Sequence, residues 1–321
     1  MIGQSGLRRL YSTGGDLGDL LNRQASYRVA NRVGEASSSV NGYVVQWDSL
    51  VPVDIGTEQP FFVRGLARIA RRFEERRLNG ANDRFDLGAL YAPTRRSYVA
   101  VGLAYEHTGA DFKFVEGTSA GSGLGPRVDA GIVFDGGLAL GIRLEEMYFD
   151  GDSTVFVATP RGPLQVDRDI EYRRTFLQAE LMARYGRAQL HFVPARMVLG
   201  WMSGIQYLNT RYEPEVDSRG QLVVEPFGNK ERLGNARAGV YLGSNLGRRN
   251  AWNTNIELMI DREFNTNMNE PIDDRNAIYV RGGLAYILRP GKRLQFDYQG
   301  FRSLNGLRKR NNFSIIWIID F

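Results

Sequence analysis

The side chains that could do chemistry here are arginines, carboxylates and two histidines; cysteine is absent. Without cysteine there are no disulfide frameworks, thiolate metal sites or cysteine nucleophiles. His107 precedes Thr108-Gly109-Ala110-Asp111, and a hydrolytic site around it would need Ser119, Ser122, Asp150 or Asp152 brought across a rim. His191 belongs to a different turn segment, so the two histidines are expected at opposite ends of the fold and cannot share a metal. Asp150-Gly151-Asp152 and Asp273-Asp274 lack the full calcium-loop pattern. Gly121-Ser122-Gly123-Leu124-Gly125 lacks the strand–glycine–helix context of a phosphate cradle. The expectation is therefore no catalytic residue, no metal, no cofactor and no enzyme.

The arginines are more informative. Lys113, Lys230, Lys292 and Lys309 are the only lysines, so arginine carries almost all of the basic charge, and the formal net charge is +5. Arg64, Arg68, Arg72, Arg84, Arg127, Arg143, Arg174, Arg184, Arg237 and Arg281 all fall on the polar parity of alternating segments. Glu180 and Glu257 share that parity, as do Glu106, Asp129, Glu145 and Asp297. The basic residues are dispersed rather than clustered, so no nucleic-acid partner is expected. Mixed signs on one parity predict a hydrated interior braced by arginine–carboxylate pairs. The sharper alternative is an electropositive conduit that favours anions or grips an internal helix.

Strands must position these charges. From Phe61 onward, apolar residues recur with period two. Phe313, Ile315, Trp317, Ile319 and Phe321 share one face, and Trp252, Thr254, Ile256, Leu258 and Ile260 share another. Val99, Val101, Leu103 and Tyr105, and then Leu138, Leu140, Ile142 and Leu144, repeat the pattern. About twelve such segments are expected. No apolar run approaches the roughly 18–20 residues of a membrane helix, which leaves membrane strands possible because only alternate residues face lipid. Short connections (92–97, 135–137, 186–196, 247–250, 289–292) alternate with longer Gly-, Asp- and Ser-rich stretches (107–126, 149–170, 210–233, 266–276) expected as loops. That asymmetry suits an outer-membrane barrel with tight periplasmic turns. Trp201, Trp252, Trp317, Tyr91, Tyr105, Tyr185, Tyr207 and Tyr286 are the candidate girdle. The fold class expected is all-β, a transmembrane antiparallel barrel of the cell outer membrane. Outer-membrane lipid and lipopolysaccharide would be its surroundings.

Residues 1–59 read differently. Leu17, Leu20, Leu21, Tyr27, Val29 and Val33 recur at helical spacing, and Gly34 with Ser37-Ser38-Ser39 would end the helix. The expected division is a linker and short helical segment over 1–59, able to plug a pore, and a barrel over 60–321. Tyr43 to Ile55 is apolar but contains Pro52, and no element is assigned to it. No apolar leader follows Met1, so the chain reads as a mature or excised segment of an exported protein.

Two resemblances add to this reading. The terminal stretch, with Ile315, Trp317, Ile319 and Phe321 on one face, resembles the closing strand that the barrel-assembly machinery reads. Phe62-Val63-Arg64-Gly65, Leu87-Gly88-Ala89-Leu90-Tyr91, Val101-Gly102-Leu103-Ala104-Tyr105 and Arg281-Gly282-Gly283-Leu284-Ala285-Tyr286 resemble the glycine–aromatic strands of autotransporter (type V secretion) translocator barrels. The resemblance implies a translocator that anchors an N-terminal passenger, with a helix (here Asp16 to Val33) inside the pore. In part of that family the helix is released by self-cleavage, for which Asn31 and Asn41 are the candidates. A small porin with an arginine-lined channel for anionic solutes, and a structural or adhesive barrel, remain the alternatives.

Overall fold

In a computed structural model, the structure describes residues 39–54, 56, 61–74, 78–94, 96–112, 116–134, 138–223, 229–244, 252–264, 275–289, 292–306 and 309–320. The strands are β1 (Ser39–Val53), β2 (Phe61–Glu74), β3 (Leu78–Thr94), β4 (Ser97–Phe112), β5 (Gly117–Val133), β6 (Leu138–Thr159), β7 (Gly162–Tyr185) and β8 (Met197–Tyr212). There follow β9 (Glu215–Val216), β10 (Leu222–Val223), β11 (Lys230–Ser244), β12 (Trp252–Phe264), β13 (Asn276–Arg289), β14 (Lys292–Ser303) and β15 (Lys309–Asp320). All except β9 and β10 form one closed barrel, and those two pair as a small hairpin.

The barrel has thirteen strands rather than twelve. The added one is β1, which lies inside the stretch expected as linker, so the sheet begins at Ser39 and the boundary at residues 59/60 is corrected. Its outward side chains Tyr43, Val45, Trp47, Val51 and Val53 are exposed, whereas Val44 and Gln46 are buried. Pro52 broke the pattern in the sequence. It lies two residues beyond Leu50↔Asp320, the last described pair of β1 with β15, at the end of the seam, where a sheet tolerates proline. The helix expected over Asp16–Val33 and the cleavage candidate Asn31 lie outside the described residues; Asn41 is within β1.

An odd count changes how the sheet closes. Neighbouring strands are antiparallel except at the seam, where β1 runs parallel to β15 from Ser39↔Lys309 to Leu50↔Asp320. Ser39 therefore lies at the barrel end opposite Asp320. An even, wholly antiparallel barrel would bring the two to the same end.

Two stretches expected as loops are strand. Residues 107–112 and 117–126 complete β4 and β5, with His107↔Ser122 and Gly109↔Ala120 in register. Residues 149–170 complete β6 and β7, which reach 22 and 24 residues. A strand crosses the membrane with about 9–11 residues, so these hairpins stand well clear of it. Both of their faces meet water there, alternation fades, and Gly, Ser and Asp are read as loop. Beside them, the β9–β10 hairpin turns at Gly220 (φ 77°), where Asp217 Oδ1 accepts the N–H of Arg219 and of Gln221, each at 2.9 Å.

Candidate functional site: the charged interior

Alternation divides the wall into two surfaces. Leu87, Val101, Leu103, Ile256, Leu258 and Ile260 are exposed outward, while their neighbours Glu106, Glu145 and Glu257 are buried inward. At one end, Trp252↔Tyr286, Tyr286↔Leu294, Leu294↔Trp317 and Trp47↔Trp317 link into one outward row across five strands. Trp252 and Tyr286 pack with ring centroids 4.9 Å apart. Near the other end, Tyr298 and Phe313 (5.2 Å) and Phe85 and Tyr105 (6.4 Å) form corresponding pairs. Two aromatic levels flanking an aliphatic band match a membrane's two interfaces.

The inward charges form two groups. The larger spans β2 to β7. Arg84 Nη1 donates to Glu145 Oε1 at 3.0 Å while Nη2 bonds Glu145 Oε2, and Nε reaches Asp86 Oδ1 at 2.8 Å. Arg174 grips Glu106 with both Nη atoms, at 2.9 and 2.7 Å. Its guanidinium also lies over the Phe149 ring, 4.6 Å from the centroid. Glu106 accepts from Asn82 at 2.8 Å, and Asn82 Oδ1 in turn accepts from Arg68 at 2.8 Å. Arg127 Nε donates to Asp129 Oδ2 at 2.6 Å and its Nη1 bonds Asp86; Arg143 Nε reaches Asp129 Oδ1 at 3.0 Å. Arg84–Glu145 and Arg174–Glu106 each join strands three apart, so they brace across the concave interior rather than along the wall. Bidentate forks of this kind are the stronger class of ion pair.

Glycines make room for this. Arg64, Gly88, Gly102 and Arg127 stand in one inward register row across β2 to β5. A Cβ at Gly102 would collide with the Leu87 carbonyl oxygen and come within 2.7 Å of the Gly88 Cα. Gly88 and Gly102 thus let the β3 and β4 backbones approach closely between Arg64 and Arg127. Gly102→Val is expected to cost about 1–3 kcal/mol by overpacking, read as a lower urea midpoint of the refolded barrel. An unchanged midpoint would mean that the row has slack.

The smaller group lies on β12 to β14. Arg281 Nη2 donates to Asp297 Oδ2 at 2.7 Å, and Gln295 Nε2 bonds both Asp297 oxygens at 3.0 and 2.9 Å. Glu257 stands 3.9 Å from Arg281. Glu231, Asp261 and Glu263 are also buried on this side. Among the described residues, the interior is therefore arginine-rich along one wall and carboxylate-rich along the other.

The residues expected in the lumen are placed as follows. Arg64, Arg68, Arg84, Arg127, Arg143, Arg174, Glu180 and Glu257 are buried on the inward parity; Arg184, Arg237 and Arg281 are half-buried on it. Arg184 lies over the Tyr241 ring at 4.8 Å, and Glu180 accepts from Gln178 at 3.3 Å. Arg72 pairs with Gly42 and Gly80 in the sheet, but its side chain is outside the described set. Ile315 and Trp317 point outward and are exposed; Ile319 is described only in its backbone, and Phe321 lies outside the described residues. Sequence reasoning saw the parity but missed Asp86, Asn82 and Met147 as network members. Their neighbours across strands, which sequence does not show, are what recruit them.

His107 and Ser122 do come together, with Nδ1 3.0 Å from Oγ, on the exposed outer face. The carboxylate next to them in register, Asp83, is held by both Nη atoms of Arg71, at 2.5 and 3.2 Å. His191 sits in the 186–196 turn segment at the opposite end. Among the described residues, no group of three or more metal-ligating side chains is found.

A closed sheet with an aliphatic outer band, two aromatic levels and an ion-paired interior is a transmembrane β-barrel of the outer-membrane type. The fold resembles the β domain of the Bordetella autotransporter BrkA: 15% identity over 80% of this chain and 96% of that one, TM-score 0.53. It also resembles the translocator domain of the autotransporter NalP from Neisseria meningitidis: 11% identity over 93% of this chain and 92% of that one, TM-score 0.53. At such identities the likeness is one of fold, and at that level it agrees with the glycine–aromatic motifs. No family model and no curated protein matches the sequence.

Proposed function

We propose that this chain is an autotransporter-type translocator and anchor in the Gram-negative outer membrane, holding an N-terminal passenger at the cell surface. The observation that carries the reading is the parallel seam. β1 descends from Ser39, beside Lys309, to Leu50, beside Asp320, so one strand spans the wall before the antiparallel series begins. With Asp320 at the periplasmic end, the chain enters the barrel from the outside. A passenger attached ahead of Ser39 would need such a crossing. The pore helix expected from the resemblance would make it through the lumen; β1 makes it within the wall. Deleting residues 1–59 would therefore remove a wall strand as well as any plug.

The anion-porin alternative is less well supported. The arginines it needs are engaged by Glu106, Asp129, Glu145 and Asp86, and among the described residues carboxylates dominate the facing wall. Ile315 and Trp317, on the lipid face of the last strand, suit recognition by the barrel-assembly machinery.

The native sequence has no cysteine, which makes topology simple to test. On intact cells, Ser39→Cys is expected to react with a membrane-impermeant maleimide, and Asp54→Cys only after permeabilisation. A folded reporter fused ahead of Met1 should become accessible to added protease. Labelling of both sites from the same side, or a reporter retained in the periplasm, would refute the reading.

A further inference from the structure

Above the aliphatic band, the outer wall carries a compact cationic row. Arg173 on β7 is the register partner of Arg211 on β8, and Arg211 is the partner of Lys230 on β11. All three are exposed on the outward parity. Neighbouring strands lie about 4.8 Å apart, so the backbones that carry the three cations fall within roughly 10 Å. Like charges directly opposite on a sheet repel each other. Such a row favours an anion beside it, as Glu146 is beside Arg173.

Depth along the strands indicates which anion. One residue pair toward the membrane lie Thr175, Asn209 and Arg232, polar side chains able to donate hydrogen bonds. One further pair down are Leu177 and Tyr207, where the apolar band begins. The row thus sits at headgroup depth, above side chains that meet acyl chains. Glu171 and Glu213 lie on the far side of the row, toward solvent, and the Glu215 carboxylate there accepts the Glu171 N–H at 2.7 Å. Arg173 is further fixed by an ion pair with Glu146 and by the Tyr148 ring, 5.5 Å from its guanidinium carbon. That holds it against the wall on the β6 side of the row.

We propose that Arg173, Arg211 and Lys230, with Arg232 beneath them, form a binding site for the phosphorylated headgroup of an outer-leaflet glycolipid. Guanidinium and ammonium groups supply the charge-assisted bonds that phosphate oxygens accept. The adjoining Leu177 and Tyr207 surface takes the first methylenes of the acyl chains. The site rests on the outer-membrane reading above, specifically on this end of the barrel facing outward, and it would fix the barrel's depth and rotation in the leaflet.

The test uses the full chain reconstituted in phosphatidylcholine nanodiscs and titrated with lipid A or with dephosphorylated lipid A, bound lipid being counted by native mass spectrometry. Wild type is expected to prefer the phosphorylated form by about tenfold or more. Arg211→Glu with Lys230→Glu should abolish the preference, and Arg211→Gln with Lys230→Gln, a milder pair less prone to misfolding, should reduce it. Arg302→Glu with Lys309→Glu, basic positions on β14 and β15, should leave it intact. Excess inorganic phosphate should not displace the lipid. No preference in wild type, full retention in both Arg211/Lys230 pairs, or displacement by inorganic phosphate would overturn the site. Passenger display is scored separately: lipid preference without display removes the translocator role alone, and display without preference removes the lipid site alone.

Discussion

Arg84→Leu is expected to destabilise the barrel by about 3–5 kcal/mol, the cost of leaving a buried charge without its partner. Glu145 is the group left behind. Its side chain is 1% exposed, and the nearest remaining cation, Arg174, is 3.8 Å away and already committed to Glu106. Glu145→Leu alone should cost less, because Arg84 keeps Asp86 at 2.8 Å and Glu106 at 3.4 Å. The double substitution should cost less than Arg84→Leu, since Asp86 keeps Arg127 and Glu106 keeps Arg174. Urea unfolding of lipid-reconstituted protein, followed by tryptophan emission, gives the three values. If Arg84→Leu unfolds within about 1 kcal/mol of wild type, the interior is wet enough to screen its charges and the bracing account fails.

The second large effect is on the outer face. Leu258 lies midway along β12 between Trp252 and Phe264 and is 49% exposed on a surface assigned to acyl chains. Leu258→Arg is expected to cost about 2–4 kcal/mol, the penalty for a cation at the bilayer midplane. Asp152→Arg, also outward but on the projecting part of β6, should cost at most about 1 kcal/mol, as positions near or beyond the interface do. The depth gradient is the diagnostic, because in a water-facing barrel both substitutions would be mild. Equal, small effects, in a chain that stays monodisperse without detergent, would reverse the orientation of the wall.

Much of this wall was legible because alternation is local. Whether Val101 and Leu103 oppose Gly102 and Glu106 depends only on neighbouring residues and the two-residue pleat. Two-sided hydration hid the outer halves of β4 to β7, and Pro52 hid β1. In both cases the local signal was absent although the sheet was not.

By itself, the sequence determined that the chain alternates and that the set opposite the apolar one carries arginine with carboxylate. It settled these because a side chain's face follows from backbone geometry at its own position. Only the tertiary structure decided that a thirteenth strand closes the sheet in parallel, that Arg84 meets Glu145 across three strands, and that Arg173, Arg211 and Lys230 stand in one row. Those contacts depend on strand register and closure, which are set jointly by every strand around the ring and by no segment alone.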